Sequence, residues 1–382
     1  MAIVWMDGFD AYGPDNTDVT SLITSSGYTQ WSGSFTPNPT TSSNTRDGIG
    51  FSMNPNAGGH NGYLCGIIRN FPLKYGLVVG FAYYTADNSF NAIMQFGYGD
   101  GRGFQFALCN IFANALGGIT ACVGLNEQLA DPGTYIGAAQ GSTIGISEPN
   151  ILFPGTWQYI EIYYVPLVTG GTLQIKVDGR MVINNNATLP TSFNYHYPGT
   201  GIFLDFNWVN SVMFLNTNPN GQNQLIDDLY ICDLLGGSFN NFLGDVAVRT
   251  VFPNADATPN SFSQVGGGAG HFTTIDEQTP DGDASYLTAS ASGSREMFAL
   301  STFPSDVIDV LAVAVNVRAS KDTSGYAYYA TEIEYSGTTL DGGTTTVSQA
   351  YQTYQTVFQT SADGSPWSTG KAQATAIGFK IP

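Results

Sequence analysis

The stretch that decides the fold runs from Trp157 to Ile183 and reads WQYIEIYYVPLVTGGTLQIKVDGRMVI. It contains two runs rich in β-branched and aromatic residues, Tyr159 to Val165 and Thr172 to Val177, separated by Gly170-Gly171. Such residues favour strands, and glycines favour the turn between them. Asp178-Gly179 follows the second run, and Asp-Gly is a preferred two-residue hairpin turn. The stretch therefore predicts a β-hairpin followed by a second tight turn.

The first of these strands has one apolar face. Side chains alternate between the two faces of a strand, so Ile160, Ile162 and Tyr164 share the side that fits a core. Glu161 lies on the other side, which we expect at the surface of the sheet. Trp157 opens the strand, and we expect its ring to be buried.

A strand-opening Trp, a glycine-broken loop and an apolar strand ending in Val177-Asp178-Gly179 resemble the closing part of a concanavalin A-like jelly roll of the laminin-G type. Asp7-Gly8-Phe9-Asp10 and Leu225-Ile226-Asp227-Asp228-Leu229-Tyr230-Ile231 strengthen this resemblance. It implies an antiparallel jelly-roll sandwich over residues 1–235. Structural roles are expected for Trp157, Asp178, Gly179, Asp227 and Asp228.

These flanks, followed by Phe242-Leu243-Gly244-Asp245-Val246 and Pro366-Trp367, are similar to tailed-bacteriophage virion proteins. That resemblance implies a virion structural protein displayed on the particle, in the tail or baseplate region. It also implies other virion proteins as partners, assembly as a homo-oligomer and contact with host-surface polysaccharide. Met1 to Met6 lacks the basic start of a secretory signal, which fits synthesis in the host cytoplasm and localisation in the virion.

Composition indicates an all-β chain of two domains. The 382 residues suit two cores, and charged residues make up 11% of the sequence, whereas an average globular protein has about 25%. Gly236-Gly237 and Asn240-Asn241 mark a linker over residues 236–244. We expect the jelly roll before it and a smaller β-sandwich for assembly or display over residues 245–382, beginning with a strand from Val246 to Phe252.

The net charge and the cysteines exclude several classes of partner. A formal net charge of −18 argues against binding nucleic acid or an anionic membrane through a basic face. The apolar stretches are too short for insertion into a membrane. Four cysteines without Cys-x-x-Cys spacing predict buried thiols and no zinc site.

The carboxylates do not form an evident catalytic pair, so we expect no enzymatic activity. Glycosidases need two carboxylates on one face, and Glu161 has none beside it on its strand. Glu332 and Glu334 have the spacing, but we expect them on a solvated face. Asp227 and Asp228 are adjacent and point to opposite sides of a strand. A glycan hydrolase that uses Glu161 or Asp228 is the remaining enzymatic alternative.

Aromatic side chains are the candidate ligand surface. Sugar rings stack on exposed aromatic faces, which favours the loop Tyr195-His196-Tyr197 together with Trp31 and Trp208 as a glycan site. The alternative is that these rings pack within the sheets and that the protein decorates a capsid without binding sugar. We expect no cofactor, and calcium is the open alternative. Asp15 with Asp18, or Asp281 with Asp283, offers oxygen ligands for it, although turn formation explains such acids as well.

Overall fold

The structure is a computed structural model that describes residues 2–13, 19–32, 39–55, 65–87, 91–99, 105–124, 142–196, 203–216, 224–322, 324 and 327–382. The chain forms two compact units, Met1–Val248 and Arg249–Pro382. The strands of the first unit are β1 (Ile3–Asp7), β2 (Tyr28–Ser32), β3 (Thr40–Ser42), β4 (Ser52–Asn54), β5 (Cys65–Lys74), β6 (Leu77–Thr85), β7 (Asn91–Gly99), β8 (Gln105–Ala113), β9 (Ile119–Val123), β10 (Thr143–Ile146), β11 (Trp157–Val165), β12 (Thr172–Val177), β13 (Arg180–Asn186), β14 (Asn194–His196), β15 (Phe203–Asp205), β16 (Val209–Leu215) and β17 (Gln224–Asp233). A short helix α1 spans Thr20–Ser25.

The first unit is a sandwich of two antiparallel sheets. In the described part of the chain, one sheet has eight strands in the order β13-β12-β11-β6-β17-β4-β3, with β1 also paired to β17. The other sheet has seven strands in the order β10-β9-β8-β7-β16-β5-β2. Strands distant in sequence are neighbours in both sheets, as a jelly roll requires. The predicted all-β class, with a jelly-roll sandwich first, is confirmed.

Aromatic side chains join the two sheets of this sandwich. Phe96 on β7 stacks on Tyr164 of β11 with ring centroids 4.3 Å apart. Phe81 on β6 meets Phe214 of β16 edge to face at 5.2 Å. All four side chains are buried in one core, and burial of rings of this size dominates the energetics of such a core.

The predicted hairpin is confirmed. β11 and β12 pair with Tyr164 opposite Leu173 and Ile160 opposite Val177. Asp178 and Gly179 both have positive φ, 48° and 76°, which is what the two-residue turn into β13 requires. Asp178 also accepts a hydrogen bond from the Tyr159 backbone N–H at 2.8 Å.

The expectation that Trp157 is buried is wrong. Its side chain is only partly buried at the end of β11, where the ring centroid lies 5.5 Å from that of Tyr84 and the indole N–H donates to Asn44 Oδ1 at 3.3 Å. The alternation of β11 explains this, because its core-facing positions are the even-numbered ones.

The second unit is a smaller β structure, as predicted. Its strands are β18 (Pro253–Asn260), β19 (Ser263–Val265), β20 (Tyr286–Thr288), β21 (Arg295–Leu300), β22 (Val313–Ala319), β23 (Tyr328–Tyr335), β24 (Thr338–Thr346), β25 (Gln352–Phe358) and β26 (Ala376–Lys380). Five of them form the antiparallel sheet β18-β21-β26-β23-β24, while β22 pairs with β25 and β19 with β20. Helix α2 (Thr369–Gln373) precedes β26, and Trp367 is buried beside it with its indole N–H on the Phe358 carbonyl at 2.8 Å.

The expected strand from Val246 to Phe252 does not form. Residues 246–252 carry no strand, and 246–248 belong to the first unit. Their hydrogen bonds explain this, because the Val246 carbonyl and the Val248 N–H bond to side chains of the first unit instead of to a neighbouring strand.

The core contacts predict the relative cost of truncating two aromatic residues. Phe214→Ala removes a fully buried ring between the sheets and should lower the free energy of unfolding by about 3–5 kcal/mol. Trp157→Ala should cost less, since the ring is only partly buried. Urea unfolding of the full chain measures both, with Phe153→Ala, a residue 54% exposed, as the control that stays near the parent value. Equal costs for the two variants would contradict this assignment of the core.

Candidate functional site

Residues 236–248, which we call the strap, cover the part of the outer face of the eight-stranded sheet that β11, β12 and β17 form. The Phe242 ring lies 6.1 Å from the Tyr163 ring on β11. The Lys176 ammonium on β12 lies 4.4 Å from the centre of the Phe242 ring, within cation–π range. The strap thus lies over the face of the sheet that carries Glu161.

Glu161 lies beneath the strap and is 1% exposed. Its Oε1 accepts hydrogen bonds from the Tyr230 hydroxyl at 2.6 Å and from the Gly244 N–H at 2.8 Å. The Tyr230 oxygen in turn accepts from the Leu243 N–H at 3.2 Å. The expectation that Glu161 sits at the surface of the sheet is therefore wrong. The sequence of β11 alone does not reveal that a later segment of the chain covers Glu161.

Asp228 holds the far end of the strap. Its Oδ1 accepts from the Val248 N–H at 2.7 Å, and its Oδ2 lies 3.4 Å from the Arg46 guanidinium. Arg46 also donates to the Val246 carbonyl at 3.1 Å and pairs with Asp245. Asp228 has a φ of 52°, and the pairing of β17 with β6 shifts register between Asp227 and Tyr230. This irregularity turns the Asp228 carboxylate toward the strap.

Asp227 is 5% exposed beside it. Its Oδ1 accepts from the Asp228 N–H at 2.8 Å. The pKa of Asp227 is raised to about 9, because burial penalises the charged form and the Asp228 carboxylate adds repulsion. A carboxyl that keeps its proton at neutral pH and is enclosed in this way is suited to a structural role.

The Asp7-Gly8-Phe9-Asp10 motif forms another cluster of buried hydrogen bonds. The Asp7 carboxylate accepts from the Phe9 N–H at 2.9 Å, the Tyr12 hydroxyl at 2.7 Å and the Tyr28 hydroxyl at 3.0 Å. Burial raises the pKa of Asp7 above its ordinary value. A Cβ at Gly8 would lie 2.3 Å from the Val248 carbonyl oxygen, so glycine is needed there for the strap to approach.

An exposed aromatic pair lies at one end of the sandwich. Val209 at the start of β16 pairs with Lys74 at the end of β5, which places Trp208 next to Tyr75. The two rings meet edge to face with centroids 6.2 Å apart and an interplanar angle of 78°. Trp208 is 47% exposed and Tyr75 is 42% exposed. Sequence reasoning singled out Trp208 but missed Tyr75, whose contact with Trp208 depends on the register of β5 with β16.

The other predicted ligand residues are not all near this pair. Trp31 on β2 pairs with Gly66, at the opposite end of β5 from Lys74, so its backbone lies roughly 25 Å from that of Trp208. Tyr195 and His196 lie on β14, whose partner β15 ends three residues before Trp208. Their side chains, the Trp31 side chain and the whole of Tyr197 lie outside the described residues. Their role stays a prediction.

Buried acidic residues of the second unit bond to arginine, lysine or histidine side chains. Glu332 is 3% exposed and lies 2.7 Å from Arg295 Nε and 2.9 Å from Lys380 Nζ. The expectation of a solvated Glu332 is therefore wrong. Glu296 is fully buried and bonds to His271 Nδ1 at 2.8 Å. These partners compensate the burial of both carboxylates.

No cluster of three or more metal-ligating side chains occurs among the described residues. Asp281 accepts hydrogen bonds from Ser285, and Asp283 accepts from the Tyr351 hydroxyl at 2.6 Å. Asp15 and Asp18 lie outside the described residues. Cys109, Cys122 and Cys232 are buried free thiols, and the side chain of Cys65 is outside the described set. No helix in the described ranges is long and apolar enough to span a membrane.

No protein-family model and no curated protein match the sequence. Solved structures with a similar fold include a protein of unknown function with a galectin-like fold from Bacillus subtilis, 6% identical, with a TM-score of 0.36 over 61% of this chain and 96% of that one. The alginate lyase Aly36B is 11% identical over 60% of this chain and 96% of its own, with a TM-score of 0.35. The exoplasmic/lumenal domain of VIP36, bound to Ca2+ and Man3GlcNAc, is 7% identical over 55% and 84%, with a TM-score of 0.32. Likeness at this level carries no information on the activity or ligand of this chain.

The hydrogen bonds of Glu161 predict the effect of removing its phenol donor. Tyr230→Phe leaves the buried carboxylate with one donor fewer and should lower the free energy of unfolding by about 1–3 kcal/mol. Hydrogen exchange at the Leu243 and Gly244 amides should accelerate as the strap loosens. Tyr286→Phe, at a tyrosine 36% exposed, is the matched control. Unchanged protection of these two amides would show that the strap is held in another way.

The raised pKa of Asp227 predicts a pH dependence of stability. Between about pH 4 and the folded-state pKa of about 9, unfolding releases a proton, so this contribution is complete at low pH and is lost as pH rises. Asp227→Asn keeps an oxygen for the Asp228 N–H and removes the titration. The variant should melt higher than the parent at pH 8, by roughly 2–4 °C per kcal/mol gained, and the gap should shrink toward pH 4. A gap that widens toward low pH would contradict the burial of a neutral carboxyl.

Proposed function

We propose that this protein is a non-enzymatic structural protein of a tailed-phage virion, displayed in the tail or baseplate region, whose first unit contacts host-surface glycan. The observation that carries the glycan part is the exposed Tyr75–Trp208 pair. The virion part rests on the short sequence motifs that resemble phage structural proteins.

The aromatic pair has the chemistry of a sugar-binding platform. The C–H face of a sugar ring packs on an aromatic face, and the indole N–H and phenol O–H can bond its hydroxyls. The edge-to-face contact fixes both rings in one orientation, so little conformational entropy is lost on binding. The rings project from a sandwich whose strands hold their positions through backbone pairing.

The carboxylates considered for hydrolysis are buried and bonded. This supports a protein that binds glycan without cleaving it. Glu161, Asp227 and Asp228 are each at most 5% exposed and are bonded to tyrosine, arginine or backbone donors. A glycosidase needs a carboxyl pair that reaches the glycosidic bond. The strap stands between these groups and any substrate.

Glycan binding by the purified protein tests the proposal. Trp208→Ala removes the larger ring of the platform and should weaken binding to a responsive glycan by roughly tenfold or more, the order expected from loss of an aromatic contact. Phe153→Ala is the control, since Phe153 is an exposed aromatic residue near the opposite end of β11 from Tyr75. Isothermal titration calorimetry gives both affinities. Equal affinities for the parent and Trp208→Ala would place the glycan site elsewhere.

The position of the protein in a particle tests the virion part. Cryo-electron microscopy of the phage that encodes it should show density for the two units at the tail or baseplate, with the Tyr75–Trp208 end facing outward. Density on the head lattice would make it a capsid decoration protein. Its absence from the particle would overturn the virion assignment altogether.

A further inference from the structure

The Tyr75–Trp208 pair continues into further aromatic side chains of the first unit. Tyr75 lies in the turn between β5 and β6, where the chain passes from the seven-stranded to the eight-stranded sheet. A Cβ at the next residue, Gly76, would lie 2.6 Å from the Tyr164 carbonyl oxygen, so the turn runs directly against β11. Tyr75 thus connects the exposed pair at the end of the sandwich with β11.

Tyr163 on β11 is the next ring. Its position in the strand is odd-numbered, so its side chain points to the outer face of the sheet. Burial raises the pKa of the Tyr163 phenol, and the nearby Tyr75 phenol raises this pKa further. Asn207, which precedes Trp208, accepts a hydrogen bond from the Val168 N–H at 3.3 Å, just beyond the end of β11. Both members of the exposed pair are therefore tied to the part of β11 that carries Tyr163.

Phe242 of the strap is the last ring. Its centroid lies 6.1 Å from that of Tyr163, and the Lys176 ammonium lies 4.4 Å from the centre of its ring. Tyr163 and Phe242 are partly exposed, while Trp208 and Tyr75 are 47% and 42% exposed. These four rings, which we call the aromatic row, extend from the end of the sandwich onto the strap.

A row of rings suits a chain of sugars better than one sugar. Each pyranose unit has an apolar C–H face that packs on a ring, and hydroxyls that bond to phenol, indole or ammonium groups. The ring-to-ring distances of 6.2 Å between Trp208 and Tyr75 and 6.1 Å between Tyr163 and Phe242 are comparable with the length that one unit adds to a linear chain. Contacts to linked units form within one complex, so affinity rises with the number of units bound.

We propose that the aromatic row binds a linear oligosaccharide lengthwise, as a trisaccharide or longer. This inference rests on the proposed glycan binding and adds the form of the ligand, which is a stretch of a linear polysaccharide and not a single terminal sugar. The strap then has a second role, since it covers Glu161 and also supplies the last ring of the site.

The experiment measures the affinity of the full chain for oligomers of glucose, galactose, mannose and N-acetylglucosamine, each as a series from the monosaccharide to the hexasaccharide. Isothermal titration calorimetry gives the dissociation constants. In a series that binds, affinity should rise by roughly threefold to tenfold with each added unit up to the tetrasaccharide and then level off.

Tyr163→Ala isolates the middle of the row. It should weaken binding of the tetrasaccharide by roughly tenfold and leave the affinity for the disaccharide unchanged, because the Tyr75–Trp208 pair can hold the shorter ligand alone. Tyr163→Phe keeps the ring and should retain most of the affinity for the tetrasaccharide. Phe242→Leu keeps an apolar side chain on the strap and should likewise affect only the longer ligands.

Tyr84→Ala is the matched control. Tyr84 is a partly buried tyrosine on the same face of the sheet, and its ring contacts that of Trp157. The pairing of β6 with β11 places it six residues along the strands from Tyr163, roughly 20 Å away. This variant should bind every length as the parent does. Equal losses in Tyr84→Ala and Tyr163→Ala would overturn the role of Tyr163.

The outcomes separate this inference from the function on which it rests. Binding that requires Trp208 but is independent of chain length and of Tyr163 would overturn the aromatic row and leave glycan binding in place. Binding of no probe, or binding that ignores Trp208→Ala, would overturn the glycan site itself. Affinity that grows with chain length and requires both Trp208 and Tyr163 supports both.

Discussion

The first unit depends on satisfying carboxylates that its own sheet buries. Glu161 and Asp228 project from neighbouring parts of the eight-stranded sheet into a space closed by residues 236–248. A buried ionised carboxylate without donors costs several kcal/mol, so the strap amides are a requirement of the fold as much as a cover. The left-handed backbone of Asp228 and the glycine at position 8 both serve the approach of this strap.

This requirement closes part of one face of the sandwich to ligands. The strap occupies part of the outer face of the eight-stranded sheet, and the facing sides of the two sheets form the core. The perimeter of the sandwich, where loops and strand ends are exposed, is one surface that stays open to a ligand. The Tyr75–Trp208 pair lies there, and Lys74, which directly precedes Tyr75, forms an ion pair with Asp233.

Local sequence signals predicted the parts of this structure that depend on interactions between residues adjacent in sequence. The alternation of β11 and the Asp178-Gly179 turn were readable because strand periodicity and turn geometry depend on adjacent residues. Glu161 was misplaced because its cover comes from a segment some 80 residues later. Tyr75 was missed because its contact with Trp208 depends on the register of β5 with β16, which no local pattern reveals. The burial of Glu332 between Arg295 and Lys380 depends likewise on three separate strands.

The most direct test of the central claim is to observe the tryptophan indoles while a glycan is added. The chain has five tryptophans, so the indole N–H region of a 15N-resolved NMR spectrum is simple enough to assign by single substitutions. A bound glycan is expected to shift the Trp208 resonance, whereas the buried Trp5 and Trp367 resonances stay in place. A glycan that binds without moving the Trp208 signal, or that moves the Trp31 signal instead, would contradict this claim.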